Sequence, residues 1–313
     1  MRSTARWGRT VTSGAVLACT ALVLASSSAS AGPVANPAPA TGDLAAGTSL
    51  PGVVAAPGGW IDYTHTLASS LTLLNETTTT STGTRGADGA CTISGGGSTT
   101  AGSVGTYQEE VAFNPQSCQE RVLSGTLTPG DLTQLSAATG GTSSTVQQAG
   151  SGTTAVTGIQ PAATTYQQAY TKTAWIDPLN ITITSLADNL QWPLYGAAGT
   201  LTARVNTYDF PYDGWSSTGP SPIKFQSISG GWSVNETDQF TNTDFATFVY
   251  TVFGLAGWLA CGAPLTVTAH FNHNVTVSGY SNGNRGWAWN DSVSGACTDL
   301  VHHASWDNYG WTS

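Results

Sequence analysis

From Leu265 to Ser278 the chain alternates with period two. Leu265, Val267, Ala269, Phe271, His273, Val275 and Val277 share one parity; Thr266, Thr268, His270, Asn272, Asn274, Thr276 and Ser278 share the other. Successive side chains on a strand point to opposite faces, so this run predicts a long antiparallel strand with one buried and one wet face. Tyr107, Glu109, Val111 and Phe113 alternate with Gln108, Glu110 and Ala112 in the same way, and Asn114-Pro115 closes that strand. The Thr77–Thr80 run after Leu71 and Leu73, Asn180-Ile-Thr-Ile-Thr-Ser and Ala246-Thr-Phe-Val-Tyr-Thr-Val-Phe are read as further strands. One short helix is expected at 128–135, with Thr128 as N-cap and Pro129 in the first turn. Gly, Asn and Asp punctuate the strands, and no repeat of propeller length is visible. The expected class is all-β, an antiparallel β-sandwich with two sub-sheets or two small β domains.

The N-terminus carries an export signal. Arg2, Arg6 and Arg9 precede an apolar run from Ala15 to Ala25, and Ala29-Ser-Ala31 has the small-x-small form that signal peptidase accepts. The run is too short for a bilayer span, which needs about 20 residues. Residues 1–31 are therefore expected to be removed, leaving a secreted, extracellular protein with no membrane span. An Ala/Pro/Gly-rich leader is expected over 32–59, an N-terminal β region over 60–137, a Thr/Gly/Ser-rich linker or long loop over 138–164, and a C-terminal β-sandwich over 165–313. Three of the nine basic residues lie in the signal, leaving six against eighteen acids. That balance speaks against nucleic acid or an anionic membrane as a partner, since both need clustered Lys and Arg.

Cys19 leaves with the signal, and four cysteines remain: Cys91, Cys118, Cys261 and Cys297. An even number in an exported chain predicts two disulfides. Of three possible pairings, Cys91–Cys118 with Cys261–Cys297 is the simplest, each closing one loop. The spacings match no redox or zinc motif.

Trp175-Ile-Asp-Pro178 ahead of a strand, and the ending Gly295-Ala-Cys-Thr-Asp-Leu-Val-His-His303, resemble exported β-rich proteins of filamentous soil bacteria. The resemblance implies export and assigns no catalytic residue.

Several patterns invite a chemical reading. Gly279-Tyr-Ser281-Asn-Gly283 has the G-x-S-x-G form, followed by Asp291, Asp299, His302 and His303. A nucleophile elbow needs a helix after the serine, whereas Asn284-Arg-Gly-Trp has no helical pattern; a hairpin turn built on Asn282-Gly283 fits better. His270 and His273 stand three apart on a strand, so they face opposite ways, and His273 reads as a core histidine. Asn235, Glu236, Asp238, Asn242 and Asp244, and separately Asp209 and Asp213-Gly214, gather oxygens of the kind calcium favours, in expected loops, without EF-hand spacing. No cofactor is expected, calcium being the one cation these clusters leave open. Glycoside hydrolysis would need two opposed carboxylates; Glu109 and Glu110 face opposite sides of one strand, and Glu120 and Glu236 are unplaced.

Ten tryptophans remain after loss of Trp7 with the signal. Trp287 and Trp289 share a strand face, and Trp306 and Trp311 bracket Asp307-Asn308-Tyr309. Flat aromatic faces beside Asn and Asp suit the apolar faces of sugars; tryptophans also fill sandwich cores. The residues supply no complete catalytic set. The expected function is thus a non-enzymatic secreted β-sandwich binding a carbohydrate or cell-wall polymer through Trp287, Trp289 and Trp306. The alternatives are an exported glycosidase- or esterase-type hydrolase and a structural or protein-binding surface protein.

Overall fold

A computed structural model describes residues 47–138, 144–150, 166–195, 199–211, 214–261 and 267–310. The expected signal lies outside them. The described residues build two antiparallel sheets that curl and pack face to face, the β-sandwich that the alternation predicts.

The larger sheet runs, in spatial order, β1 (Ser49–Leu50), β2 (Val53–Ala56), β3 (Trp60–Tyr63), β7 (Gly105–Asn114), β18 (His302–Tyr309), β10 (Tyr166–Ile176), β11 (Thr182–Pro193), β12 (Leu201–Asp209) and β9 (Ser144–Gly150). Strand β8 (Gln119–Thr126) branches from β7 and pairs on its far side with β4 (Leu74–Thr82). The smaller sheet runs β13 (Ser216–Ser217), β15 (Gly231–Asn242), β16 (Ala269–Tyr280), β17 (Arg285–Ser294), β6 (Cys91–Thr99) and β5 (Thr84–Arg85), with β14 (Phe225–Ile228) also on β15. Two helices complete the described chain, α1 (Pro129–Ala138) and α2 (Phe245–Cys261).

Strand β16 alternates buried and half-buried residues along its whole length, as read from the sequence. Its buried face meets the larger sheet: Phe271 stacks on Trp175 with ring centroids 5.6 Å apart. On β10 the odd residues Thr173 and Trp175 reach the smaller sheet. The even residues Tyr170, Ala174 and Ile176 belong to a separate core with Leu127, Leu135 and Trp306 on the outer face. Helix α1 has the expected start. The Thr128 amide donates to Asp131 Oδ2 at 2.7 Å and the Asp131 amide donates back to Thr128 Oγ1 at 3.3 Å, a reciprocal cap above Pro129.

The structure differs from the sequence reading in four places. Residues 49–56 pair as β1 and β2 within the expected leader, so the sheet begins before Trp60. Within the expected linker, 144–150 forms β9 and pairs with β12. The two β regions are not separate bodies, because β7 lies against β18 and β6 against β17. Ala246–Phe253, read as a strand, is the first part of α2. Phe245, Ala246 and Val249 are buried there at helical spacing, with Phe245 5.4 Å from Trp215 and 6.0 Å from Phe271. Packing overrides the strand preference of its aromatic and β-branched residues, and Gly254, at φ 66°, interrupts the helix.

Both disulfides follow the nearest-neighbour pairing, Cys91–Cys118 and Cys261–Cys297, with Cα separations of 5.8 and 4.1 Å. The second ties the end of α2 to the turn before β18. Among the described residues no helix is long and apolar enough to cross a membrane.

Candidate functional site

Trp287 and Trp289 do share a face of β17, but it is the inner one: each is 5% exposed, and Trp306 is 2% exposed. The expected surface platform of three tryptophans is therefore corrected to core residues; Trp311 lies outside the described residues. The sequence around β6 explains the burial. Trp287 lies opposite Gly97 and Trp289 opposite Gly95 in the β17–β6 register. A Cβ at Gly95 would stand 2.5 Å from the Trp289 ring, and one at Gly97 would stand 3.1 Å from Trp287 Nε1. The run Gly95-Gly96-Gly97 thus leaves room for two indoles to lie against a bare backbone.

This thinning of β6 leaves a groove of about 240 Å³ where β6 faces β7, β8 and β4. Its walls carry the hydroxyls of Thr77, Ser98, Ser124 and Thr126 and the amides of Asn75 and Gln108, and Trp287 lines it from β17. No charged side chain lines it. Trp287 Nε1 has no hydrogen-bond partner. Asn75, Thr77 and Ser98 are exposed, so the groove opens to solvent. It combines two aromatic residues, Tyr107 and Trp287, with many neutral donors and acceptors, a lining that offers no counter-charge to an ionic group.

The acids and histidines that could carry catalysis are spent inside the protein. Asp291 Oδ2 lies 2.8 Å from His273 Nδ1 and 3.0 Å from His303 Nε2, and Oδ1 accepts the Asn274 amide at 3.0 Å. The Thr173 and Thr184 hydroxyls lie 2.8 and 3.0 Å from the two His273 nitrogens. His273 is thus the satisfied core histidine its parity predicts, while His270 is half-buried on the other face. Burial alone would raise the Asp291 carboxyl, but His273 and then His303 hold it well below the usual carboxylate range. Burial lowers His303, against the raising effect of its bond to Asp291. Glu109 accepts the amides of Leu67 and Ala68 at 2.8 and 2.7 Å and lies 3.0 Å from His302 Nε2.

Glu110 takes the His303 amide at 3.1 Å. Burial and then the neighbouring Glu120 push it well above the ordinary carboxylate range. It lines a void of about 10 Å³ with Trp175 and Cys91, far too small for a substrate. Glu120 is 2% exposed and accepts the Ser81 hydroxyl. Ser281 sits in the β16–β17 hairpin, where the Gly283 amide donates to the Tyr280 carbonyl at 2.9 Å and Gly283 takes φ 86°. No helix follows, in keeping with the turn reading. Asp177 builds another turn, accepting the amides of Leu179 and Ile181 at 2.9 Å, so the Trp-Ile-Asp-Pro segment is architectural.

The oxygen cluster read as a loop is mostly strand. Asn235, Glu236, Asp238 and Asn242 belong to β15. Ser221 donates to Glu236 at 2.8 Å, Ser217 donates to Asp238 at 2.8 Å, and the Asp244 amide donates to Asn242 at 2.7 Å. Among the described residues no three His, Cys, Asp or Glu side chains converge as a metal site would require; Asp213 lies outside them. The sequence reading missed Asp188, an acid on the same parity of β11 as Leu186 and Leu190, and that parity is the signal that could have found it. Comparison with protein-family models, curated proteins and solved structures finds no match.

Proposed function

We propose that this is an exported, non-enzymatic β-sandwich protein that binds a neutral carbohydrate or cell-wall polymer in the groove between β6 and the β7–β8–β4 strands. The observation that carries the reading is the lining of that groove: hydroxyls, amides, glycine backbone, Tyr107 and Trp287, with no charge. A sugar offers hydroxyls to such walls, while Trp287, only 5% exposed, lies beneath the groove rather than on an open face. The groove opens to solvent and holds about 240 Å³, which suits a chain passing through rather than a molecule enclosed; enclosed drug-sized ligands occupy about 300–1,000 Å³. Export is supported by Arg2–Ala31 with its signal pattern, by two disulfides and by the resemblance to exported proteins of filamentous soil bacteria. The non-enzymatic part rests on the burial of Glu109, Glu110, Glu120, Asp291, His302 and His303, each at most 3% exposed.

The test is depletion of residues 32–313 from solution by insoluble chitin, cellulose, xylan and peptidoglycan, with released soluble sugar assayed in the same tubes. Retention on at least one polymer without sugar release is expected. Sugar release would replace the reading with a hydrolase, and failure to bind any of the four would leave a structural or protein-binding surface protein.

A further inference from the structure

Two carboxyl side chains project into the apolar layer between the sheets with no cation paired to them. Asp188 on β11 and Glu236 on β15 are each 0% exposed. They lie on the faces that carry Leu186, Leu190 and Val234, in a cluster with Val205, Val275 and Val277. Glu236 Oε1 is buried without a hydrogen-bond partner and Oε2 is satisfied by Ser221, while Asp188 has the amides of Asn189 and Val277 beside it but no hydrogen bond of good geometry. A buried carboxylate with few donors and no counter-ion is costly, and a buried acid escapes that cost by keeping its proton.

We propose that Asp188 and Glu236 are both kept as carboxylic acids in the apolar layer between the two sheets, and that the packing of the sheets loosens when they ionise. The neighbouring groups leave the proton as the agent that neutralises the pair. Across the sheet Asp188 faces Thr171 of β10 and Val205 of β12. From β16 come Val275 and Val277, and the next titratable group along that strand, His273, is committed to Asp291. On β15 the next inward acid, Asp238, is held by Ser217 and Thr218. Lys224 is the one cation whose charge lowers Glu236, and it is exposed. Burial, and then the charge of Glu236, push Asp188 well above the ordinary carboxylate range, with the amides of Asn189 and Val277 pulling the other way. Burial pushes Glu236 up to about 7, against Ser221 and Lys224.

The sign follows directly. A carboxyl raised in the folded state stabilises the fold fully below its ordinary value of 4.5, and that stability is lost as pH rises through about 7. Each such group raises the unfolding constant by up to about tenfold per pH unit inside its window.

The experiment is urea unfolding of the disulfide-intact protein between pH 4.5 and 8.5, for wild type, Asp188→Asn, Glu236→Gln and the double variant. The wild type is expected to weaken steadily with rising pH. The double variant is expected to lose most of that slope and to have an unfolding constant at least tenfold below wild type at pH 8.5. An unchanged slope in the double variant would overturn the proposal. So would recovery of wild-type stability at pH 8.5 on adding calcium, which would make a cation the neutralising agent. Infrared spectra at pH 6 give a readout independent of stability: the protonated-carboxyl carbonyl band should diminish in each single variant, and an unchanged band would equally overturn the proposal.

Discussion

At the scale of single residues, the most consequential choice in the chain is the absence of side chains at Gly95 and Gly97. Val would ordinarily be favoured over Gly in a strand. Here Gly95→Val drives its Cβ into the Trp289 ring, which would stand only 2.5 Å away. Overpacking of this kind costs about 1–3 kcal/mol, so urea unfolding should show destabilisation where propensity alone predicts a gain. A second residue-scale prediction concerns Asp291, on which two imidazoles depend. Asp291→Ala leaves buried donors unsatisfied at about 1–3 kcal/mol each, and a loss of about 3 kcal/mol is expected in the same assay. Because its folded carboxyl lies below the ordinary value of 3.8, Asp291 contributes stability that is present above that pH and lost as acid is added. Asp291→Asn should therefore flatten the acid limb of the stability profile below pH 3.8. The role of His273 was legible, because its parity placed it among Phe271, Val275 and Val277. The partnership of His303 with Asp291 was not, since it joins neighbouring faces of two sheets through β18 and β17.

Among the elements, β16 and α1 were legible and α2 was not. Strand β16 announces itself by period two with one wet face, and α1 by Thr128, Pro129 and Asp131. In α2 the local composition argues for a strand; its helical set Phe245, Phe248 and Val249 gains meaning only against Trp215 and Phe271. The Cys261–Cys297 disulfide fixes the far end of that helix. Its loop spans 36 residues, and by chain entropy such a bridge contributes about 3–4 kcal/mol. Cys261→Ser with Cys297→Ser is expected to lower stability by that amount and to speed hydrogen exchange at the amides of 245–249. Strand β9 escaped notice because 144–150 has few large apolar residues and reads as linker, yet it pairs with β12 over seven residues.

The whole molecule is assembled by pairings distant in sequence. The larger sheet places β18 between β7 and β10, and the smaller one places β6 beside β17. Period two assigns a residue to a face but does not say which face is inner, which is why Trp287 and Trp289 could be read as a platform. The groove draws on residues from Asn75 to Trp287, and no local pattern brings those together. What the sequence did carry at this scale was its low charge density: few charged residues and many hydroxyls, with acids outnumbering bases. The groove has the same character, and the buried acids are kept in the interior by hydrogen bonds or protons.

The central claim is tested most directly by titrating the protein with a soluble oligosaccharide of whichever polymer retains it, following tryptophan fluorescence for wild type and for Thr77→Lys with Ser98→Lys. Both positions are exposed, so the variant should fold normally while its new side chains fill the groove. The account predicts saturable quenching in the wild type and at least a tenfold weaker dissociation constant in the variant, about 1.4 kcal/mol. Equal affinity in the two proteins would contradict it and place binding elsewhere on the molecule.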